Sequence, residues 1–179
     1  MPYKYLWCVG DSILLGAPYQ DLPPFDVRSI VRYLRPELCQ IGTQQGGHDC
    51  YAGYRTDQLA SGVLSWGTEI ETPDLVWIYA GANDILQSSG FEMGRLVDNV
   101  ISIFPNAEII LSRIAIVRTV TPEATYQFNS ESIDSLGLPS INFEESFSSE
   151  DYVSDMIHFN ITGQTILAEK FSEGITKYI

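Results

Sequence analysis

Short apolar runs alternate with amphipathic stretches along this chain. Residues 5–9 and 75–80 are continuous apolar runs that each end in a polar turn containing glycine, as expected of strands buried in a covered sheet. Over 93–104 the apolar positions recur every three or four residues until Pro105, which predicts a helix. By the same criteria, further strands are predicted over 38–41, 108–117 and 140–143, and further helices over 25–34, 56–66, 121–136 and 160–178.

This alternation indicates a mainly parallel sheet with helices on both faces. We therefore expect one α/β domain spanning residues 1–179, built as a three-layer α/β/α sandwich. The carboxyl ends of parallel strands meet at one edge of the sheet, so polar clusters near those ends should converge there. The clusters are residues 10–12, Gly53, residues 81–84 and residues 155–158.

The composition, with 45% hydrophobic and 18% charged residues, is that of a folded globule. The 23 acidic and 10 basic residues give a net charge of −13, which repels nucleic acid and anionic membranes, so neither is expected as a partner. The apolar run at the N-terminus is too short for a signal peptide. We expect a cytoplasmic protein, or a secreted one if a signal peptide has been removed.

The three cysteines show no paired spacing, which indicates neither a disulfide framework nor a zinc site. Cys8 and Cys39 lie in predicted strands, where they would be buried as small hydrophobic residues. Cys50 lies in a predicted loop and would be more exposed.

Ser12 is the best candidate for a nucleophile because it follows a predicted strand in the turn Gly10-Asp11-Ser12. A serine needs an adjacent base, and that base needs a group that orients it. Of the two histidines, His158 has Asp155 three residues earlier, within reach of its ring. Each motif alone also has a structural explanation, since Gly-Asp-Ser turns are common and Asp155 could cap the last helix.

Acyl transfer also needs hydrogen-bond donors for the oxygen that becomes negative, an arrangement called an oxyanion hole. The candidates are the backbone N–H groups of Ser12 and Gly53 and the side-chain amide of Asn83. Gly53 could instead serve only to provide a positive φ angle, and Asn83 could cap a turn. Asp11 is expected to hold the turn that carries Ser12.

The order and spacing of four blocks resemble those of the SGNH hydrolases, also called the GDSL esterase family. The blocks are Gly10-Asp11-Ser12-Ile13, Gly53, Gly81-Ala82-Asn83-Asp84 and Asp155-Met156-Ile157-His158. The resemblance implies a flavodoxin-like sheet of five parallel strands in the order 2-1-3-4-5. It also implies a serine esterase without cofactor or metal, with Ser12 as nucleophile, His158 as base, Asp155 as its partner and the oxyanion hole named above.

Residues 48–54 are similar to a loop of carbohydrate acetylesterases, in particular the acetylxylan esterases, in which the pattern is His-Glu-Gly-x-x-Gly-Trp. This chain departs from the pattern at Asp49, Cys50 and Tyr54. The resemblance implies short-chain acyl esters, such as acetyl esters, of a small molecule or carbohydrate. The candidate substrate contacts are His48, Tyr51 and Tyr54, although His48 could instead order the loop.

Three alternatives stay open at this stage. One is a lysophospholipase or thioesterase acting on longer acyl chains. Another is a metallophosphoesterase, because the turns at 10–11 and 81–84 superficially resemble metal-binding turns of such enzymes. Two histidines, however, are too few to supply the ligands of a two-metal centre. The third is a catalytically silent carbohydrate-binding module of the same fold. The sequence predicts neither the oligomeric state nor the natural ester.

Overall fold

A parallel sheet forms the centre of the molecule. The computed structural model describes residues 4–115, 123–143 and 146–179. The strands are β1 (Lys4–Gly10), β2 (Leu38–Ile41), β3 (Asp49–Cys50), β4 (Leu75–Tyr79), β5 (Glu108–Ser112) and β6 (Ser140–Ile141). The five main strands lie in the order β2-β1-β4-β5-β6, and the two-residue β3 pairs with the end of β1. Apart from β3, this is the predicted order 2-1-3-4-5, which is confirmed.

Helices cover both faces of the sheet. They are α1 (Ser12–Leu15), α2 (Val27–Leu34), α3 (Thr56–Trp66), α4 (Ala82–Leu86), α5 (Met93–Ile103), α6 (Glu123–Asp134) and α7 (Ile161–Gly174), with a 3₁₀ turn at Ser149–Asp151. The paired helices α2 and α7 pack on one face, and α3 and α5 pack on the other. The predicted three-layer sandwich is therefore confirmed.

The central strand β4 is buried along its whole length, as its apolar run predicts. Because side chains alternate across a strand, Trp77 faces α7 and Ile78 faces α3 and α5. The Trp77 ring stacks on Phe171 with ring centroids 3.7 Å apart. Its indole N–H donates to Ser112 Oγ on β5 at 2.7 Å, so this buried polar group is satisfied.

Several predicted boundaries need correction. β5 ends at Ser112 rather than at 117, and β6 at Ile141 rather than at 143. The end of the predicted strand 108–117 and the start of the predicted helix 121–136 lie partly outside the described residues. The predicted start of the helix at residue 56 is confirmed, since Thr56 is the first residue of α3 and Arg55 occupies the N-cap position.

Cysteine burial also differs from the expectation. Cys8 is buried, as predicted, but Cys39 is exposed because it lies on the edge strand β2. Cys50 is buried because the predicted loop contains the strand β3, which adds to the sheet beside β1. Within the described ranges, no helix has both the length and the hydropathy needed to cross a membrane.

Candidate active site

The turn after β1 positions Ser12 at the carboxyl edge of the sheet. A side chain at Gly10 would place its Cβ 2.4 Å from the carbonyl oxygen of Tyr79, so only glycine permits β1 and β4 to pack here. Asp11 then caps α1, and its Oδ1 accepts a hydrogen bond from the Ile13 N–H at 2.9 Å. Ser12 follows as the first residue of α1 and is 7% exposed.

Asp11 is completely buried, and its second carboxylate oxygen, Oδ2, has no hydrogen-bond partner among the described residues. Burial raises the pKa of this carboxyl to about 7, although the backbone N–H groups of Ile13 and Ala82 oppose the rise. The Asp11 side chain therefore stabilises the turn through its hydrogen bond to Ile13, although burial disfavours its ionised form.

A second turn presents His158 at the same edge. Asp155 Oδ1 accepts hydrogen bonds from the N–H groups of Ile157 at 2.8 Å and His158 at 2.9 Å. The cap of α7 is Asn160, whose side chain accepts from the Gly163 N–H, so Asp155 is not the cap of this helix. The Asp155 carboxylate instead shapes the turn that carries His158.

Asp155, His158 and Ser12 form a continuous hydrogen-bonded chain. Asp155 Oδ2 lies 2.7 Å from His158 Nδ1, and His158 Nε2 lies 2.9 Å from Ser12 Oγ. With the proton on Nδ1 donated to the carboxylate, Nε2 is free to accept the serine proton. Partial burial raises the pKa of Asp155, but hydrogen bonds from the His158 ring and nearby backbone N–H groups outweigh it and hold the pKa below its ordinary value.

The predicted oxyanion donors lie on adjacent strand ends. Gly10 pairs in register with Cys50 on β3 and with Tyr79 on β4, so the segments that lead to Ser12, Gly53 and Asn83 leave the sheet side by side. As the first helical residue, Ser12 has no carbonyl one turn earlier to occupy its N–H.

Gly53 has a φ angle of +80°, so the structural role suggested for it also applies. Its N–H makes no hydrogen bond to the part of the chain that the structure describes. The side-chain amide of Asn83 donates one N–H to the Tyr54 carbonyl at 3.0 Å. Since an amide nitrogen has two N–H donors, this bond orients Asn83 and leaves one donor for a ligand.

A buried pair that sequence reasoning missed joins the helices next to these donors. Asp84, 2% exposed, accepts from the Thr56 N–H at 3.0 Å and from the Thr56 hydroxyl at 2.6 Å. Thr56 Oγ1 in turn accepts from the Glu92 N–H at 2.7 Å. The pair fixes the start of α3, three residues after Gly53, against α4, which carries Asn83. Both residues are polar and lie next to predicted site residues, but nothing in the sequence links positions 28 residues apart.

The three predicted substrate contacts are engaged in ordering their loop. His48 is 5% exposed, and its Nδ1 accepts from the Cys50 N–H at 3.1 Å. Burial and, to a smaller extent, the nearby Arg28 charge lower its pKa to about 3, so the ring is neutral. The Tyr51 ring stacks on both Tyr54 and Trp66, with centroids 4.8 and 4.7 Å away. These contacts support the loop-ordering explanation of His48 and extend it to both tyrosines.

The residues that the structure describes contain no group of three or more His, Cys, Asp or Glu side chains arranged to hold a metal ion.

Comparison with solved structures identifies the fold. No family model and no curated protein matches the sequence. A family 3 carbohydrate esterase from Clostridium thermocellum is 20% identical, with a TM-score of 0.76 over 98% of this chain and 96% of the other. A family 3 carbohydrate esterase from Talaromyces cellulolyticus is 15% identical, with a TM-score of 0.78 over 97% of each chain. A member of the lipolytic protein G-D-S-L family from Veillonella parvula is 16% identical, with a TM-score of 0.73 over 94% of this chain and 96% of the other. The chain therefore has the fold of the SGNH hydrolases, and the resemblance predicted from the four sequence blocks is confirmed at the level of the fold.

Proposed function

We propose that the protein is an SGNH-type serine hydrolase of carboxylic esters, with Ser12, His158 and Asp155 as its catalytic triad. The observation that carries this proposal is the hydrogen-bonded chain from Asp155 through His158 to Ser12, with distances of 2.7 and 2.9 Å. These distances fall within the range required between a nucleophile, its base and the group that orients the base. The triad draws on two segments 143 residues apart, so no local turn explains it.

The reaction proceeds in two steps. His158 Nε2 takes the Ser12 proton while Ser12 Oγ attacks the acyl carbon, and Asp155 stabilises the imidazolium. The N–H groups of Ser12 and Gly53 and the amide of Asn83 donate to the oxyanion of the tetrahedral intermediate. His158 then protonates the leaving alcohol and afterwards activates a water molecule, which releases the acid and restores Ser12. This sequence needs no cofactor.

The proposed substrates are short-chain acyl esters, such as acetyl esters, of a small molecule or a carbohydrate. Two structural neighbours are described as family 3 carbohydrate esterases, which supports a carbohydrate substrate. The net charge of −13 disfavours anionic substrates at long range and is compatible with neutral sugar esters.

A second candidate is an esterase or thioesterase for longer acyl chains. A cavity of about 630 Å³ borders α4, the helix that contains Asn83, and its apolar lining includes Ile85, Leu86, Phe91 and Phe128. A cavity of this size could accept more than an acetyl group. The structural neighbour described as a lipolytic protein supports the same alternative.

The nucleophile is tested by intact-mass analysis after treatment with a serine-directed fluorophosphonate. We expect one adduct on the wild type and on Ser61→Ala, a control at an exposed serine whose hydroxyl donates to the Asp57 carbonyl. Ser12→Ala should give no adduct, and His158→Ala should label and turn over at least 10²-fold more slowly. Ester hydrolysis by Ser12→Ala at the wild-type rate would refute the catalytic proposal and favour a silent binding module.

The substrate class is tested with nitrophenyl esters of increasing chain length, followed by acetylated sugars. Highest kcat/KM on the acetate ester, together with deacetylation of a sugar, is expected. A maximum beyond the octanoate ester would overturn the acetylesterase assignment in favour of the longer-chain candidate. Asp155→Asn should reduce kcat on every ester, because the amide cannot stabilise the imidazolium as the carboxylate does.

A further inference from the structure

A second cavity, of about 380 Å³, lies between the loop after α1, the start of α2 and the loop that contains His48. Leu15, three residues after Ser12 on α1, forms part of its wall, but the proposed mechanism uses none of its lining residues. The cavity is distinctive because some of the polar side chains that line it have hydrogen-bonding groups without a partner among the described residues. The polar side chains of the lining include Gln20, Arg28 and Arg32.

Arg28 is 6% exposed, yet its guanidinium donates no hydrogen bond to any residue that the structure describes. Its Nε is buried and has no hydrogen-bond partner among the described residues. The Asp26 carboxylate, which also lines the cavity, forms an ion pair with Nε at 3.6 Å, beyond hydrogen-bond distance. That carboxylate already accepts from the N–H groups of Arg28 and Ser29 and from the Ser29 hydroxyl. A buried donor without an acceptor is costly, so an acceptor is missing beside Nε.

The same cavity wall contains a complementary group. Gln20 lines the cavity, and its buried Oε1 accepts no hydrogen bond from the residues that the structure describes, so it is an unused acceptor. Arg32 adds a second positive charge, although it donates to Gln40 and to the Gly46 carbonyl. Asp21 is exposed at the border and opposes an anion there.

We propose that this cavity binds a small molecule that carries an oxyanion, such as a carboxylate or phosphate, with a hydroxyl group beside it. The planar guanidinium of Arg28 matches two oxygens of such a group, and charge-assisted bonds of this kind are the strong ones. The hydroxyl donates to Gln20 Oε1. Sugar acids and sugar phosphates have this combination of groups. The site is distinct from the Ser12 triad, so its ligand need not be an ester.

The proposal is tested by titration calorimetry on the full chain with D-glucuronate, inorganic phosphate and, as a neutral match, D-glucose. Sodium chloride holds the ionic strength constant, because screening alone changes the behaviour of an acidic protein. We expect saturable binding of glucuronate or phosphate and none of glucose. Tighter binding of one anion identifies the carboxylate or the phosphate as the better ligand group. Absence of saturable binding by both anions overturns the proposal.

Variants localise the binding. Arg28→Met should weaken the affinity at least about 10-fold, since it removes the charged donors. Arg95→Met, at an exposed arginine paired with Glu92 outside the cavity, should leave binding unchanged. Asp21→Asn should strengthen binding because it removes the opposing charge, and it provides a test if Arg28→Met fails to fold. Equal affinities in the wild type and Asp21→Asn, or equal losses in the two arginine variants, contradict this location.

Binding and hydrolysis are separable. Ser12→Ala should bind the anion as the wild type does, because Ser12 does not line the cavity. Hydrolysis without anion binding would refute only this inference, whereas anion binding without hydrolysis would refute only the proposed esterase activity.

Discussion

The buried carboxyl of Asp11 should make the stability of the protein fall as the pH rises from about 4 to 7. In the folded state its pKa is raised from the ordinary value of 3.8 to about 7 by burial. The folded protein therefore binds a proton in a pH range where the unfolded chain has released it. The stabilisation of the folded state by protonated Asp11 is complete below pH 3.8. It is lost as the pH rises through about 7.

The size of the effect follows from the two pKa values. Each pKa unit corresponds to about 1.4 kcal/mol, so ionising Asp11 in place costs the folded state about 4 kcal/mol. Asp11→Asn removes this titration and keeps an oxygen that can accept from the Ile13 N–H. Its amide nitrogen would replace Oδ2, which has no partner, at a cost of about 1–3 kcal/mol that does not depend on pH.

Wild type and Asp11→Asn should therefore have stability curves that cross. The wild type should be the more stable near pH 4 and the variant near pH 8, as measured by urea unfolding with linear extrapolation at each pH. Asp98→Asn, at an exposed position on α5, controls for the loss of one negative charge. A constant difference between wild type and Asp11→Asn across this range would refute the reasoning.

Two further predictions concern the groups near the oxyanion donors. Thr56→Val should lower the free energy of unfolding by about 2–4 kcal/mol, because the buried Asp84 loses a charge-assisted hydrogen bond. The control Thr68→Val, whose hydroxyl is exposed, should change stability by less than about 0.5 kcal/mol, and equal losses would contradict the proposed importance of the pair. Asn83→Ala and Asn99→Ala each remove one side-chain bond to a backbone carbonyl and should lose about 1 kcal/mol of stability. Only Asn83→Ala should also reduce kcat on a nitrophenyl ester, by about 10²–10³-fold, and an unchanged kcat would remove Asn83 from the oxyanion hole.

The layers of the fold could be predicted because burial leaves a long-range pattern in the sequence. The apolar run at 75–80 corresponds to the fully buried β4, and the spacing over 93–104 corresponds to the buried face of α5. The polar clusters could be placed at one edge for the same reason, since parallel strands share a direction. The same argument predicts that Ser12 and His158 lie at one edge of the sheet, where their side chains are 2.9 Å apart.

Features made by short segments or by distant pairs could not be predicted. The helices α1 and α4 have four and five residues, too few to show a helical period. The exposure of Cys39 depends on β2 being an edge strand, which its own residues do not indicate. The hydrogen bond between Thr56 and Asp84 depends on two loops meeting, and propensities of single residues carry no such information.

The turn Gly10-Asp11-Ser12 shows why its structural and catalytic explanations are compatible. Gly10 admits the Tyr79 carbonyl, and Asp11 caps the helix that begins with Ser12. As the first residue of this helix, Ser12 has no intrahelical acceptor for its N–H, and its Oγ lies 2.9 Å from His158 Nε2. A substitution at Gly10 that changed the backbone would therefore displace the nucleophile and an oxyanion donor together. The residues that make this turn an ordinary, well-capped one are thus the residues that the proposed chemistry requires.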